Sequence, residues 1–251
     1  MLDLGSRTGS FAAEAWACIT ICLDAEVPGA HPRRFVAARA EALPFRDRQF
    51  AAVISNHSLE HFEALGPSLD EIGRVLDANG FLFVAVPDSS TLTDRIYRWL
   101  ARGGGHVNSF TSAEGLARLV SEKTGLPHAG TRVLCTSLSF LNRANLPGRP
   151  PRRFLLFGGG SERVLRMLTY GFRKLDRLIH TRTCVYGWAC YFGSGVSVET
   201  ETWTNVCVRC GSAHPASWLE EEGRVKRRSY FCPQCGTKNY FTNDDEYGFL
   251  R

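Results

Sequence analysis

The sequence predicts an α/β fold: a doubly wound, mainly parallel sheet followed by a small four-cysteine module. Three observations carry this. The chain opens on an apolar run, Leu2-Asp3-Leu4, that stops at Gly5 and reaches Gly9 across three small or polar residues. Apolar runs of strand length then alternate with helical patterns, and several are apolar on both faces, which suits a parallel sheet covered on both sides. The last fifty residues change to short, polar sequence punctuated by two C-x-x-C pairs.

The opening stretch MLDLGSRTG reads as a buried strand turning sharply into a helix over Ser10 to Ala17. Glycine at 5 and 9 permits a tight turn and lets a ligand approach the backbone without a Cβ in the way. Cys18 to Leu23 is a second strand ending in Asp24, with Glu26 close behind, and Phe35-Val36 begins a third. Phe50 to Ser55 is a fourth. A helix from about Pro67 to Leu76 carries Leu69, Ile72, Val75 and Leu76 on one face and ends at Asn79-Gly80. Phe81 to Val86 is a fully apolar strand stopped by Pro87.

Leu92 to Arg102 reads as a helix ended by three glycines, and Ser112 to Thr124 as another, capped by Thr111 or Ser112. Thr131 to Phe140 and Cys184 to Phe192 are two further strands. Between them, Ser161 to Ile179 is an amphipathic helix whose apolar residues are Val164, Leu165, Leu168, Phe172, Leu175, Leu178 and Ile179. A domain boundary is expected near 196–202. It separates a first domain (1–198, with a basic helical insertion at about 141–182) from a C-terminal module (202–251).

No apolar run approaches the roughly 18–20 residues that span a bilayer. No basic stretch followed by an apolar core marks an export signal, so a cytoplasmic protein is expected. The net charge of +5 is unevenly placed. Arg143, Arg149, Arg152, Arg153, Arg163, Arg166, Arg173, Lys174, Arg177 and Arg182 face only Glu162 and Asp176 across one segment. Nine cysteines without an export signal argue against disulfides. Cys18, Cys22, Cys135, Cys184 and Cys190 sit in apolar runs and read as core residues.

Taken in order, LDLGSRTG, the acid after the second strand, AEALPFRDRQFAAVISNHSLEHF and EIGRVLDANGFLFVAVPD resemble a class I S-adenosylmethionine-dependent methyltransferase, of the variety called methyltransferase type 11. HVNSFTSAEGLARLVSEKTGL is similar to the segment after the fifth strand in that family. The resemblance covers roughly residues 1–140, resumes at VYGWACYFG, and implies a Rossmann-like sheet that is short at its N-terminus, since the family has a helix before the first strand. It implies a start further upstream or a domain trimmed on its cofactor side.

The resemblance also implies that S-adenosylmethionine is held by Asp3, Gly5, Ser6, Gly9, Asp24 and Asn56. Asp24 would accept hydrogen bonds from the ribose hydroxyls, a task that suits a carboxylate because it accepts two at once; Glu26 is the fallback. Arg7, Arg39 and Ala51 depart from the family pattern. Methyl transfer needs an acceptor in line with the methyl group and often a base. His57, His61 and His106 are the candidates, and each also reads as a structural histidine.

Cys207-Val-Arg-Cys210 and Cys232-Pro-Gln-Cys235 are each followed by glycine and spaced as a zinc ribbon, a closed structural Zn2+ site of four thiolates. Arg224, Lys226, Arg227 and Arg228 with Tyr230 and Phe231 suit a nucleic-acid backbone. Glu220, Glu221, Glu222, Asp244, Asp245 and Glu246 nearly cancel that charge, so nucleic acid is not the favoured partner. The expected function is methyl transfer to a small-molecule or lipid- or sugar-linked acceptor, with helix 161–179 as a lid. Its alternatives are a catalytically weak methyltransferase-like binding protein and an RNA methyltransferase docking through the ribbon. The same helix has a second home on an anionic membrane.

Overall fold

The computed structural model describes residues 1–7, 9–11, 17–30, 34–100, 105–145, 160–198 and 203–243. Most of the helix expected over 10–17, together with Arg149, Arg152, Arg153 and the acids at 244–246, lies outside the described residues.

The chain divides into two compact units. The first comprises Met1–Asp88, Gly105–Arg132 and Trp188–Thr200. The second comprises Ser89–Gly104, Val133–Gly187 and Glu201–Arg251. The basic helix and the cysteine pairs fall in the same unit.

A seven-stranded sheet has the order β3-β2-β1-β4-β5-β7-β6. Its strands are β1 (Leu2–Leu4), β2 (Ile21–Asp24), β3 (Phe35–Ala37), β4 (Phe50–Asn56), β5 (Leu76–Pro87), β6 (His128–Cys135) and β7 (Val185–Phe192). The pairs from β3 through β5 are parallel; Leu4, for example, lies between Leu23 and Ser55. Leu2, Leu4, Val53, Ile54, Leu82 and Val84 are almost wholly buried, which the two-faced apolar runs require. Helix α1 (Leu65–Val75) buries Leu69, Ile72 and Val75. Arg74 on α1 pins the 43–47 loop, donating to the carbonyls of Leu43 and Phe45 and pairing with Asp47 and Glu71.

Several boundaries differ from expectation. Asn79-Gly80 does not end a helix: the chain turns extended at Leu76, and these residues lie inside β5, where its register with β4 shifts between Phe50 and Ala52. The second strand starts at Ile21, so Cys18 precedes it and is exposed rather than in the core. β6 starts three residues earlier than expected and stops at Cys135, because Ser139–Leu141 turns into a short 3-10 helix. Helix α3 (Ala113–Thr124) is as expected, capped by the Ser112 hydroxyl accepting from the Gly115 amide and ended at Gly125.

The second unit contains α2 (Leu92–Leu100), α4 (Glu162–Ile179) and the cysteine module. The module is built of β8 (Asn205–Val206), β9 (Ala213–His214), α5 (Ala216–Glu221), β10 (Val225–Lys226), β11 (Ser229–Phe231) and β12 (Lys238–Tyr240). Val208 of the module shares one apolar cluster with Leu138, Leu141 and Leu165. Ser137, Asn142 and Asn145 donate to the carbonyls of Cys207, Val208 and Arg209. α4 is tied to the module as well: Arg166 donates to the Lys238 carbonyl, and Glu162 pairs with Arg209 at 2.6 Å.

α4 does not bury the stripe expected from its sequence. Leu165, Thr169, Arg173 and Asp176 are buried, with Leu168 and Phe172 packed beside them. Val164, Leu175, Leu178 and Ile179 stay exposed. Thr169 and Asp176 are hydrogen-bonded. Thr169 donates to the Ser137 carbonyl, and the Asp176 carboxylate accepts from the amides of Thr183 and Cys184 and from the Thr181 hydroxyl. That carboxylate fixes the turn out of α4 toward β7.

Candidate functional site

The order β3-β2-β1-β4-β5 reverses direction between β1 and β4, and ligands of open parallel sheets bind at the carboxyl ends of the strands at such a point. The turn after β1 is shaped from within. Gly5 (φ 68°) and Gly9 (φ 111°) lie in the left-handed region. The amides of Gly5 and Ser6 donate to the Leu23 carbonyl, and the Gly9 amide donates to the Ser6 carbonyl. Both oxygens of Asp3 are used: Oδ2 accepts from the Ser10 amide at 2.7 Å and Oδ1 from the Ser10 hydroxyl at 2.6 Å. Asp3 therefore closes the turn instead of reaching out of it. Burial raises its pKa, and the two Ser10 hydrogen bonds partly offset that.

The two glycines serve different needs. A Cβ on Gly5 would sit 2.5 Å from the Ser58 Cβ, whereas one on Gly9 would meet, among the described residues, the Phe11 carbonyl oxygen at 3.6 Å. Gly5 is thus a packing requirement, and Gly9 leaves the backbone open. Ser58 ties the two strand ends together, donating to the Leu4 carbonyl and sharing a hydrogen bond with Ser55.

Asp24 ends β2 with a half-buried carboxylate. Its oxygens accept from the amides of Arg7 and Glu26, each at 3.0 Å, which aims the group and leaves lone pairs unused. The Glu26 side chain is exposed and lies 3.8 Å from Arg7. Arg39, one of the residues that depart from the resembled family's pattern, pairs with both Glu41 and Glu63. Its charge is therefore matched by two carboxylates.

Asn56 ends β4, and His57 follows with φ 54° and its amide donating to the Ala85 carbonyl. The three histidines expected as bases come together in the first unit. The rings of His61 and His106 are 4.9 Å apart, edge to face. The amides of Val107 and Asn108 donate to the Glu60 carbonyl, and the Asn108 side chain to Leu59 and Phe62, fastening the His106 loop to the 3-10 turn Leu59–His61. Burial, with His106 and His61 nearby, pulls the His57 pKa down to about 4. His61 Nδ1 lies 3.0 Å from the Gly105 carbonyl, a partner that assigns the proton to Nδ1 and the lone pair to Nε2. Glu60, unremarked in the sequence, is buried with a carboxylate oxygen 3.9 Å from His57 Nδ1. Its place inside SNHSLEH was the available signal.

In the second unit, the sulfur atoms of Cys207, Cys210, Cys232 and Cys235 all lie within 4.8 Å of one another. Cys207 and Cys235 are 3.5 Å apart, and Cys210 and Cys232 are 3.6 Å apart. The two loops repeat one geometry. The Gly211 amide donates to the Cys207 carbonyl and the Gly236 amide to the Cys232 carbonyl, with φ 74° and 71°. The Arg209 amide and the Asn239 side chain point at the Cys207 sulfur.

The turn at the switch point, an acid ending β2 and a polar turn ending β4 define the class I S-adenosylmethionine-dependent methyltransferase fold. Residues 2–84 match the family model described as "Methyltransferase domain". The chain is 36% identical over 88 residues to "Uncharacterized protein YafE" of Escherichia coli (strain K12), covering 33% of this chain and 42% of that protein. The match thus spans about two fifths of that relative's length. A SAM-dependent methyltransferase from Archaeoglobus fulgidus has a similar fold, with a TM-score of 0.51 at 18% identity over 77% of this chain and 85% of the other.

Proposed function

We propose that the chain transfers the methyl group of S-adenosylmethionine to a small-molecule or lipid- or sugar-linked acceptor. The observation that carries this reading is the Asp24 carboxylate, aimed by the amides of Arg7 and Glu26 beside a turn that Gly9 leaves open. Asp24 would bind the ribose hydroxyls, and Ser6, Gly9 and Asn56 would line the rest. Asp3 holds the turn through Ser10, and Gly5 seats it against Ser58. Bound there, the cofactor supplies an electrophilic methyl on a sulfonium.

The chain's own part in the chemistry is to orient the acceptor and take its proton. Of the three histidines, His61 suits the base best: its Nε2 carries the lone pair, and the ring is accessible. His57, with a pKa near 4, stays neutral at neutral pH and is a poor proton acceptor.

Cys207, Cys210, Cys232 and Cys235 would hold one Zn2+. Four sulfurs at about 2.3 Å around a tetrahedral ion lie roughly 3.8 Å apart. The observed 3.5 and 3.6 Å separations fit that set with little movement. The site is closed and structural. It would brace the unit that holds α4.

Isothermal titration with S-adenosylmethionine, followed by a radiolabelled methyl-transfer screen, tests the reading. Saturable binding lost in Gly9→Val supports it; no binding by the wild-type chain overturns it.

A further inference from the structure

Glu60, His61 and His106 form a second group of ligand-type side chains, separate from the four cysteines. One carboxylate oxygen and one nitrogen from each ring all lie within 4.8 Å of one another. The backbone holds them there. The amides of Val107 and Asn108 donate to the Glu60 carbonyl at 2.8 and 3.0 Å. The Asn108 side chain donates to the carbonyls of Leu59 and Phe62 at 2.9 and 2.7 Å. These hydrogen bonds clamp the segment carrying His106 onto the short turn that carries both Glu60 and His61.

The chemistry of the set suits a cation. Glu60 is only 2% exposed, and buried carboxylates are kept where positive charge compensates them. A divalent ion between the three groups does so without requiring either imidazole to be protonated. The Gly105 carbonyl, 3.0 Å from His61 Nδ1, is the kind of outer partner that fixes the tautomer and orientation of a ligating ring. The rings of His61 and His106, 4.9 Å apart, bring their nitrogens to the same side as the carboxylate. Metal bonds of about 2.0–2.2 Å to such atoms draw them closer than they stand here, a closure that rotation of clamped side chains supplies. Two imidazole nitrogens with one carboxylate oxygen favour a first-row ion such as Mn2+, Fe2+, Co2+ or Zn2+ over Ca2+ or Mg2+. Three protein ligands also leave positions open for water or an oxygen-bearing small molecule, unlike the closed cysteine site. We propose that Glu60, His61 and His106 bind one divalent transition-metal ion. The site goes beyond methyl transfer and does not depend on it. In the loaded protein the His61 Nε2 lone pair is committed to the ion, so the base role of His61 belongs to the metal-free chain.

The test is titration of the full chain with Co2+, followed by absorption spectroscopy, after the cysteine site has been filled with Zn2+. Saturable binding should give the weak ligand-field bands of a nitrogen and oxygen ligand set. Exchange into the cysteine site is told apart by its intense sulfur-to-cobalt charge transfer. His106→Asn and Glu60→Gln should each weaken this Co2+ binding by at least about tenfold, the lower end of what even outer-shell changes cost. Circular dichroism checks that both variants fold; should Glu60→Gln fail because its side chain is buried, His106→Asn decides alone. A parent chain that shows only sulfur-ligated Co2+ overturns the proposal. So does Co2+ affinity that His106→Asn leaves unchanged, which would leave the three groups a hydrogen-bonded or ionic cluster only. The spectrum is read without S-adenosylmethionine, so a parent that binds Co2+ here and no cofactor would end the methyltransferase reading and leave this one standing.

Discussion

The Cβ position of Gly5 lies 2.5 Å from the Cβ of Ser58. Two residues 53 apart in sequence thus set how closely the turn after β1 can approach the end of β4, and Gly5 is needed for that contact before any ligand is considered. Gly5→Ala should therefore destabilise the protein by about 2–4 kcal/mol, combining overpacking with the cost of a side chain at positive φ. Gly9→Ala should cost less, about 1–2 kcal/mol, from backbone strain at φ 111° without a clash. Urea denaturation of both variants checks this; equal losses would show that the turn moves freely against Ser58.

Asp24→Ala should weaken S-adenosylmethionine binding by about 1.5–3 kcal/mol, the value of hydrogen bonds to a charged group. It also releases the Arg7 and Glu26 amides, so Asp24→Asn serves as the control that keeps an acceptor in place. Titration calorimetry reads both. An Ala variant that binds as tightly as the parent would remove Asp24 from the cofactor site.

Disrupting the four-cysteine site should have effects beyond the cysteine module. Val208 shares a core with Leu138, Leu141 and Leu165, so Cys207→Ser should expose the amides of 137–145 and of α4 as well as those of 203–243. Hydrogen exchange followed by mass spectrometry would map the change. Protection lost only within 203–243 would show the module to be energetically separate.

Gly171 is exposed in the middle of α4, and among the described residues a Cβ there would meet nothing within 4 Å. Gly171→Ala should raise stability by about 0.5–1 kcal/mol through helix propensity alone. Thermal or urea unfolding measures this, and a destabilised variant would mean that something approaches the helix at that point.

The lowered His57 pKa couples folding to pH. Between about 4 and the ordinary histidine value near 6.5, the unfolded chain binds the proton that the folded chain refuses. Stability should thus fall as pH drops through that window, by roughly 2 kcal/mol once the ring's partial exposure is discounted. In His57→Gln that part of the slope should vanish. Denaturation midpoints from pH 7 to pH 4 decide it, and parallel slopes for parent and variant would refute the assignment.

The strand positions, the cysteine loops and many element limits were legible in the sequence because each depends on local pattern. Runs apolar on both faces mark buried parallel strands, and C-x-x-C-Gly contains its own turn. Helix limits were clear where a cap was present, as at Ser112 and Ser161, and unclear at Asn79-Gly80. There the pairing of Phe50 with Leu76 draws a good turn sequence into a strand.

Which face of α4 is buried could not be read from its sequence. The apolar stripe was visible, but burial followed long-range partners: Ser137 for Thr169, the Thr183 and Cys184 amides for Asp176, and Val208 for Leu165. The roles of Asp3 and Gly5 were likewise set by Ser10 and Ser58. Sequence alone determined the fold class and the spacing of the cysteine pairs, because spacing and periodicity act between near neighbours; the point where the strand order reverses came from the tertiary structure. Tertiary structure decided what each polar group touches, since a buried hydrogen-bonding group must be satisfied by whichever distant atom the fold brings beside it.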